Sequence, residues 1–162
     1  MSDRTLPALE LAEGRISHKT KSERLQDANY LILQVSIFGR RFFYSATHNR
    51  VAKFELTIDG KLWFRDDDTD KRIYVAYRGR WKHFSHGGTL RGLVEGLANY
   101  IRTGERIGAG HFGPWPQWVC EGDLWGYGKE TMEMLRNALR PRDCVAWPPL
   151  SATSNSREQA RC

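Results

Sequence analysis

The change of hydrophobic period after Gly87-Gly88 constrains this chain more than any other feature. Leu90, Leu93, Val94, Leu97, Ala98 and Ile101 recur at the spacing of one helical face, so residues 89–102 are predicted to form an amphipathic helix. Thr89 is placed to cap its start, and Thr103-Gly104 to close its end. Before it, apolar residues come in short runs separated by turn signals. The runs 30–38, 41–46, 51–58, 61–65 and 72–77 are rich in Val, Ile, Leu and aromatic residues, as strands are. Asp59-Gly60 has the chemistry of a type I′ hairpin turn. Within 61–65, Leu62 and Phe64 fall on one face, and Lys61, Trp63 and Arg65 on the other. In 72–77, Ile73, Val75 and Tyr77 share a face.

The expected fold is therefore α+β. An antiparallel sheet of four to five strands is covered by the central helix 89–102, which buries Leu93, Leu97 and Ile101 against it. A second, short C-terminal helix is predicted over 131–139 on the partial stripe Met134, Leu135, Ala138 and Leu139, with Pro141 stopping it. Residues 1–29 read as a polar N-terminal extension with at most a turn or two of helix over 22–27. Residues 30–150 read as a single α+β domain and 151–162 as a disordered tail. Hydrophobic residues make up 40% of the 162, enough for a real core, which excludes a chain disordered throughout.

Three widely spaced cysteines, Cys120, Cys144 and Cys162, suit a reducing compartment better than a disulfide scaffold. No apolar run has the length of a signal peptide or a membrane span, so a cytoplasmic protein with no membrane contact is expected.

The formal net charge is +6, and it is unevenly spread. Lys71, Arg72, Arg78, Arg80, Lys82, Arg91 and Arg102 are opposed over that stretch by Glu95 alone. Arg40, Arg41, Arg50 and Lys53 form a second cluster, with no acid before Glu55. Phe42, Tyr44, Tyr74, Tyr77 and Trp81 are interleaved with these charges. Arginine next to exposed rings is the chemistry that attracts phosphates and stacks bases. The expected function is a non-catalytic basic protein that associates with nucleic acid or a nucleoprotein complex. The candidate contact residues are Arg40, Arg41, Tyr77, Arg78, Arg80, Trp81, Lys82, His83, His86, Thr89 and Arg91. The turn His83-Phe84-Ser85-His86-Gly87-Gly88 would add an anion site from the free N–H groups at the helix start.

Two alternatives follow from other segments. Phe112, Trp115 and Trp118 lie in a stretch rich in glycine and proline, with the composition of a protein interface. On that reading the chain inhibits or regulates a nucleic-acid enzyme, such as a host defence nuclease, by binding it. A hydrolase would need His111 to converge with Glu121 or Asp123, and with Cys120 if the nucleophile is a thiol. No P-loop, Gly-x-Ser-x-Gly elbow or His-Glu-x-x-His motif is present. Gly108-x-Gly110-x-x-Gly113 follows a helix rather than a strand, which excludes the dinucleotide fingerprint. Asp66, Asp67, Asp68 and Asp70 lack the glycine and terminal glutamate of an EF-hand loop. They read as a solvated hairpin tip paired with Lys71 and Arg72. No catalytic residue, metal or cofactor is assigned.

Overall fold

The computed structural model describes residues 16–38, 42–112 and 128–147. The chain is α+β, as expected, but the elements are shared out differently. Helix α1 (Lys21–Ile37) comes first, followed by the short strands β1 (Tyr44–Ser45) and β2 (Arg50–Val51). Strands β3 (Lys53–Leu56), β4 (Leu62–Arg65) and β5 (Arg72–Tyr74) precede helix α2 (Gly88–Thr103). Strand β6 (Ile107–Gly108) and a single 3₁₀ turn over Ala109–Phe112 follow it. Helix α3 (Lys129–Leu139) and strand β7 (Val145–Ala146) close the described fold.

The predicted strand 30–38 is the C-terminal half of α1, and the expected boundary between residues 29 and 30 falls inside that helix. The helix is set by residues upstream of the apolar run. Thr20 Oγ1 accepts the Glu23 N–H, and the Glu23 carboxylate accepts the Thr20 N–H at 2.8 Å, a reciprocal capping box. From there Ala28, Leu31, Ile32 and Val35 fall on one buried face at helical spacing. Leu33 and Ile37 lie on the exposed face, so apolar residues surround the helix and blur its period.

The strands do not form one sheet of four or five. Among the described residues they make an antiparallel pair β1-β2, an antiparallel sheet β3-β4-β5 and a parallel pair β6-β7. Phe54, Phe64 and Ile73 face inward in register, beside Leu62. The Asp59-Gly60 turn is present but is not type I′. Only Gly60 takes a positive φ, of 88°, and its N–H donates to Thr57 O at 2.9 Å, as in a type I turn closed by a glycine bulge.

Leu93, Leu97 and Ile101 are fully buried as predicted. However, α2 packs chiefly on α1, and α1 is the helix that lies against β3. Helix α2 starts at Gly87 without a side-chain cap, so Thr89 does not cap it; Gly104 ends it in the left-handed region at φ 86°. In α3 the buried residues are Met132, Leu135, Arg136 and Leu139, while the expected Met134 is exposed. Trp147 docks back on Phe112, with ring centroids 6.1 Å apart. The 151–162 tail lies outside the described residues.

A buried polar cluster ties four segments together. Asp27 on α1 receives Lys19 Nζ at 2.9 Å and lies 3.6 Å from Arg142. The Tyr100 hydroxyl on α2 stands 3.2 Å from Asp27 and 3.1 Å from Asp143. Asp143 also accepts hydrogen bonds from Ser17 and from Arg106, the latter at 2.6 Å.

Two expected outcomes test this architecture. Thr20→Ala should cost roughly 0.5–2 kcal/mol in urea unfolding, because it removes a helix cap; it would be neutral if 30–38 were a strand. The second concerns pH. Burial alone would raise the Asp143 carboxyl, but hydrogen bonds from Ser17, Arg106 and Tyr100 outweigh it and hold the carboxyl below its ordinary value. The folded state therefore binds that proton more weakly than the unfolded chain does. The stability from Asp143 is complete above the unfolded value of about 4 and is lost as pH falls through the lower folded value. Urea midpoints measured from neutral pH downward should fall in that window, and Asp143→Asn should flatten the fall.

Candidate nucleic-acid interface

Strand alternation builds the outer face of the three-stranded sheet. With Phe54, Phe64 and Ile73 turned inward, the register puts Glu55, Trp63 and Tyr74 side by side on the other face, with Lys53, Arg65 and Arg72 in the next row. The Trp63 and Tyr74 rings lie 5.3 Å apart and tilted. Arg72 stacks on Trp63 with its guanidinium carbon 4.5 Å from the ring centre, and Lys61 Nζ sits 5.8 Å over Tyr74. At the β3-β4 end, Leu56, Thr57, Ile58, Asp59, Lys61, Trp63 and Arg72 line an open groove of about 580 Å³. The indole N–H of Trp63 is buried and finds no acceptor among the described residues.

The basic loop continues from this face. Tyr77 N–H donates to Tyr74 O at 3.0 Å, which folds the chain over directly after β5. Beyond it Tyr77, Arg78, Arg80, Lys82 and His83 are exposed. The Tyr77 ring lies so close over Gly79 that a Cβ there would collide with it. Gly79 thus makes room for the tyrosine rather than for a ligand backbone. Among the described residues no acid pairs with Arg78, Arg80, Lys82, Lys61 or Arg72. By contrast Arg65 binds Glu55 at 2.9 Å, Arg50 lies 3.6 Å from Asp70, and Arg91 binds Glu95 at 3.2 Å.

Several predicted contact residues serve the core instead. Trp81 is buried, donates its indole N–H to Tyr77 O at 2.9 Å, and carries Arg91 stacked 4.2 Å from its ring centre. His86 turns inward: its Nε2 lies 2.7 Å from Asp67, and the rings of Phe42, Phe43 and Phe84 surround it. The turn before α2 therefore offers an acid beside His86 rather than a ready anion site, and Thr89 is exposed without a capping bond. Phe112 is fully buried, and its carbonyl accepts Arg136 at 2.6 Å. Arg40, Arg41, Trp115 and Trp118 lie outside the described residues.

The acidic loop is a solvated tip only at Asp68 and Asp70, which are exposed. Asp66 and Asp67 are buried and do not pair with Lys71 or Arg72. Asp66 accepts Ser85 N–H at 2.8 Å and Ser85 Oγ at 3.0 Å on one oxygen, and the N–H groups of Asp68 and Thr69, each at 3.0 Å, on the other. Asp66, Asp67 and His86 bring three possible metal-ligand atoms within 4.8 Å of one another. The fit to a cation is poor, because those donors already fill the roughly four acceptor positions of the Asp66 carboxylate. The group is a staple between the β4-β5 turn and the loop before α2.

Burial lowers the pKa of His111. Glu121, Asp123 and Cys120 lie outside the described residues. Burial pushes the Cys144 thiol up to about 12, which removes the thiolate a nucleophile needs.

The model of the family described as YoqU matches residues 18–141. The chain belongs to that family. It is similar to the SPbeta prophage-derived uncharacterized protein YoqU of Bacillus subtilis (strain 168), with 35% identity over 86 residues. That match covers 51% of this chain and 61% of the relative, so the chain spans less than two thirds of the relative's length. No solved structure matches. Among the described residues no helix is long and apolar enough to cross a membrane.

The clearest site residues that sequence reasoning left out of its contact set are Lys61, Trp63, Arg72 and Tyr74. The signal was the alternation in 61–65, which already set Trp63 opposite Leu62 and Phe64. Asp66→Ala should lower stability by about 3 kcal/mol or more, because it leaves buried donors without an acceptor. Thermal unfolding with divalent cation or chelator should give one unchanged midpoint.

Proposed function

We propose that this chain is a non-catalytic nucleic-acid-binding protein that uses the outer face of β3-β4-β5 and the loop 77–83. The observation that carries the reading is the division of its cations. Arg50, Arg65 and Arg91 are held by acids or carbonyl groups. Lys61, Arg72, Arg78, Arg80 and Lys82 have no acidic partner among the described residues and flank exposed Tyr74 and Tyr77. Unpaired cations contribute most to phosphate binding, since each releases counterions without first giving up an internal ion pair. The rings add a sequence-tolerant surface. The partner is therefore nucleic acid itself, contacted mainly through its backbone.

Titration of single-stranded DNA, single-stranded RNA and duplex at two salt concentrations tests the proposal. Arg78→Ala with Arg80→Ala should weaken binding about equally across sequences. For single strands it should reduce the slope of log affinity against log salt by about 1.4, for two lost phosphate contacts. Absence of binding at low salt would overturn the reading in favour of its rival, in which the chain binds and inhibits a nucleic-acid enzyme.

A further inference from the structure

We infer that the groove at the β3-β4 end is a seat for one unpaired nucleobase, which makes single-stranded nucleic acid the preferred ligand. The inference rests on the proposed nucleic-acid reading and deepens it. Two features of the groove meet in that chemistry. Its walls combine the apolar Leu56, Ile58 and Trp63 with the cations Lys61 and Arg72, matching the flat ring and anionic phosphate of a nucleotide. Its size, about 580 Å³, lies within the ~300–1,000 Å³ of small-ligand sites.

The cations over the rings are suited to exchange. Arg72 on Trp63 and Lys61 over Tyr74 are surface cation–π contacts, individually weaker than the stacking of a base on an aromatic ring. An entering base takes the indole face, and the displaced guanidinium stays within reach of the adjoining phosphate. A duplex keeps its bases stacked and cannot use this seat. Ile58 stands fully exposed at the hairpin tip beside the groove, where an apolar side chain can separate one base from its neighbour. Asp59 also lines the groove, bonded to the Thr57 hydroxyl, and its charge faces that of Lys61.

The test measures binding of a short poly-dT strand, a duplex of equal length and poly-L-glutamate to the full chain. Trp63→Leu should weaken the single strand by about five- to a hundredfold while changing duplex binding less than twofold. Ile58→Glu alters only an exposed tip, so it keeps the fold even if Trp63→Leu does not, and its carboxylate should also weaken the single strand selectively. Circular dichroism confirms that each variant is folded. Wild-type binding by folded Ile58→Glu, or equal losses for single strand and duplex, would overturn the groove. If Arg78→Ala with Arg80→Ala still weakens binding in that case, the nucleic-acid reading survives alone. Binding of poly-L-glutamate that depends on the groove, with no oligonucleotide binding, would overturn both in favour of an acidic protein partner.

Discussion

The fold depends on pairing the Asp27 carboxylate inside the protein. Asp27 is almost fully buried on α1, where an unpaired charge would be prohibitively costly. It survives because Lys19, Arg142 and Tyr100 reach it from three other segments. The Tyr100 hydroxyl has one proton and two carboxylates to serve, Asp27 and Asp143. The remaining demand of Asp143 is met by Ser17 and Arg106. The entry to α1, the middle of α2 and the segment leading into β7 are therefore fixed together. Separating any of these elements breaks hydrogen bonds or ion pairs to a carboxylate.

Once α1 is held, it determines which surface of the sheet is free. Asn29 accepts the Phe54 N–H at 2.7 Å and donates to the Phe54 carbonyl at 3.1 Å. The side-chain amide acts as a one-residue neighbouring strand on the open edge of β3, blunting an edge that would otherwise invite pairing with another chain. The inner face is filled by α1 and the cluster of Phe43, Phe54, Phe64 and Phe84. Phe43 holds a positive φ of 69° there, a strained position for a bulky residue, kept by its packing on Phe64 and His86. With one face and one edge committed, the face carrying Trp63 and Tyr74 is left for contact.

Local signals in the sequence were legible where one residue pattern had one physical outcome. The stripe from Leu90 to Ile101 could only be a helix, and the alternation from Leu62 to Arg65 could only be a strand with one buried side. The run 30–38 had two outcomes, since a short apolar stretch suits a strand as well as a helix. The deciding information was Thr20 and Glu23, well upstream of the run, together with the periodicity of Ala28 and Leu31. The acidic loop misled for another reason. Charge predicts solvent exposure unless donors are supplied, and Asp66 takes two of its donors from Ser85, in a different loop. Trp81 and His86 turned inward on the same principle: a polar aromatic can be buried once a carbonyl or carboxylate meets its N–H.

A net charge of +6 says little by itself, because it is within what solubility allows. What matters is where the charges are already used. Arg24 spends its guanidinium on the Ile101 carbonyl at 2.8 and 3.0 Å, Arg106 on Asp143, and Arg136 on the Phe112 carbonyl. These arginines close the core and would contribute nothing to an approaching polyanion. Arg78, Arg80 and Lys82 sit on one exposed loop, Lys61 at the β3-β4 turn and Arg72 in the row at the opposite end of the sheet. These cations border the uncovered rings, with Glu55 and Asp59 as the acids on the same side. That coincidence favours an anionic ligand with flat groups along it over a purely charged one. On the proposed reading, a polyanion without rings would satisfy the loop and leave Trp63 and Tyr74 unused, whereas a nucleic-acid strand would engage both.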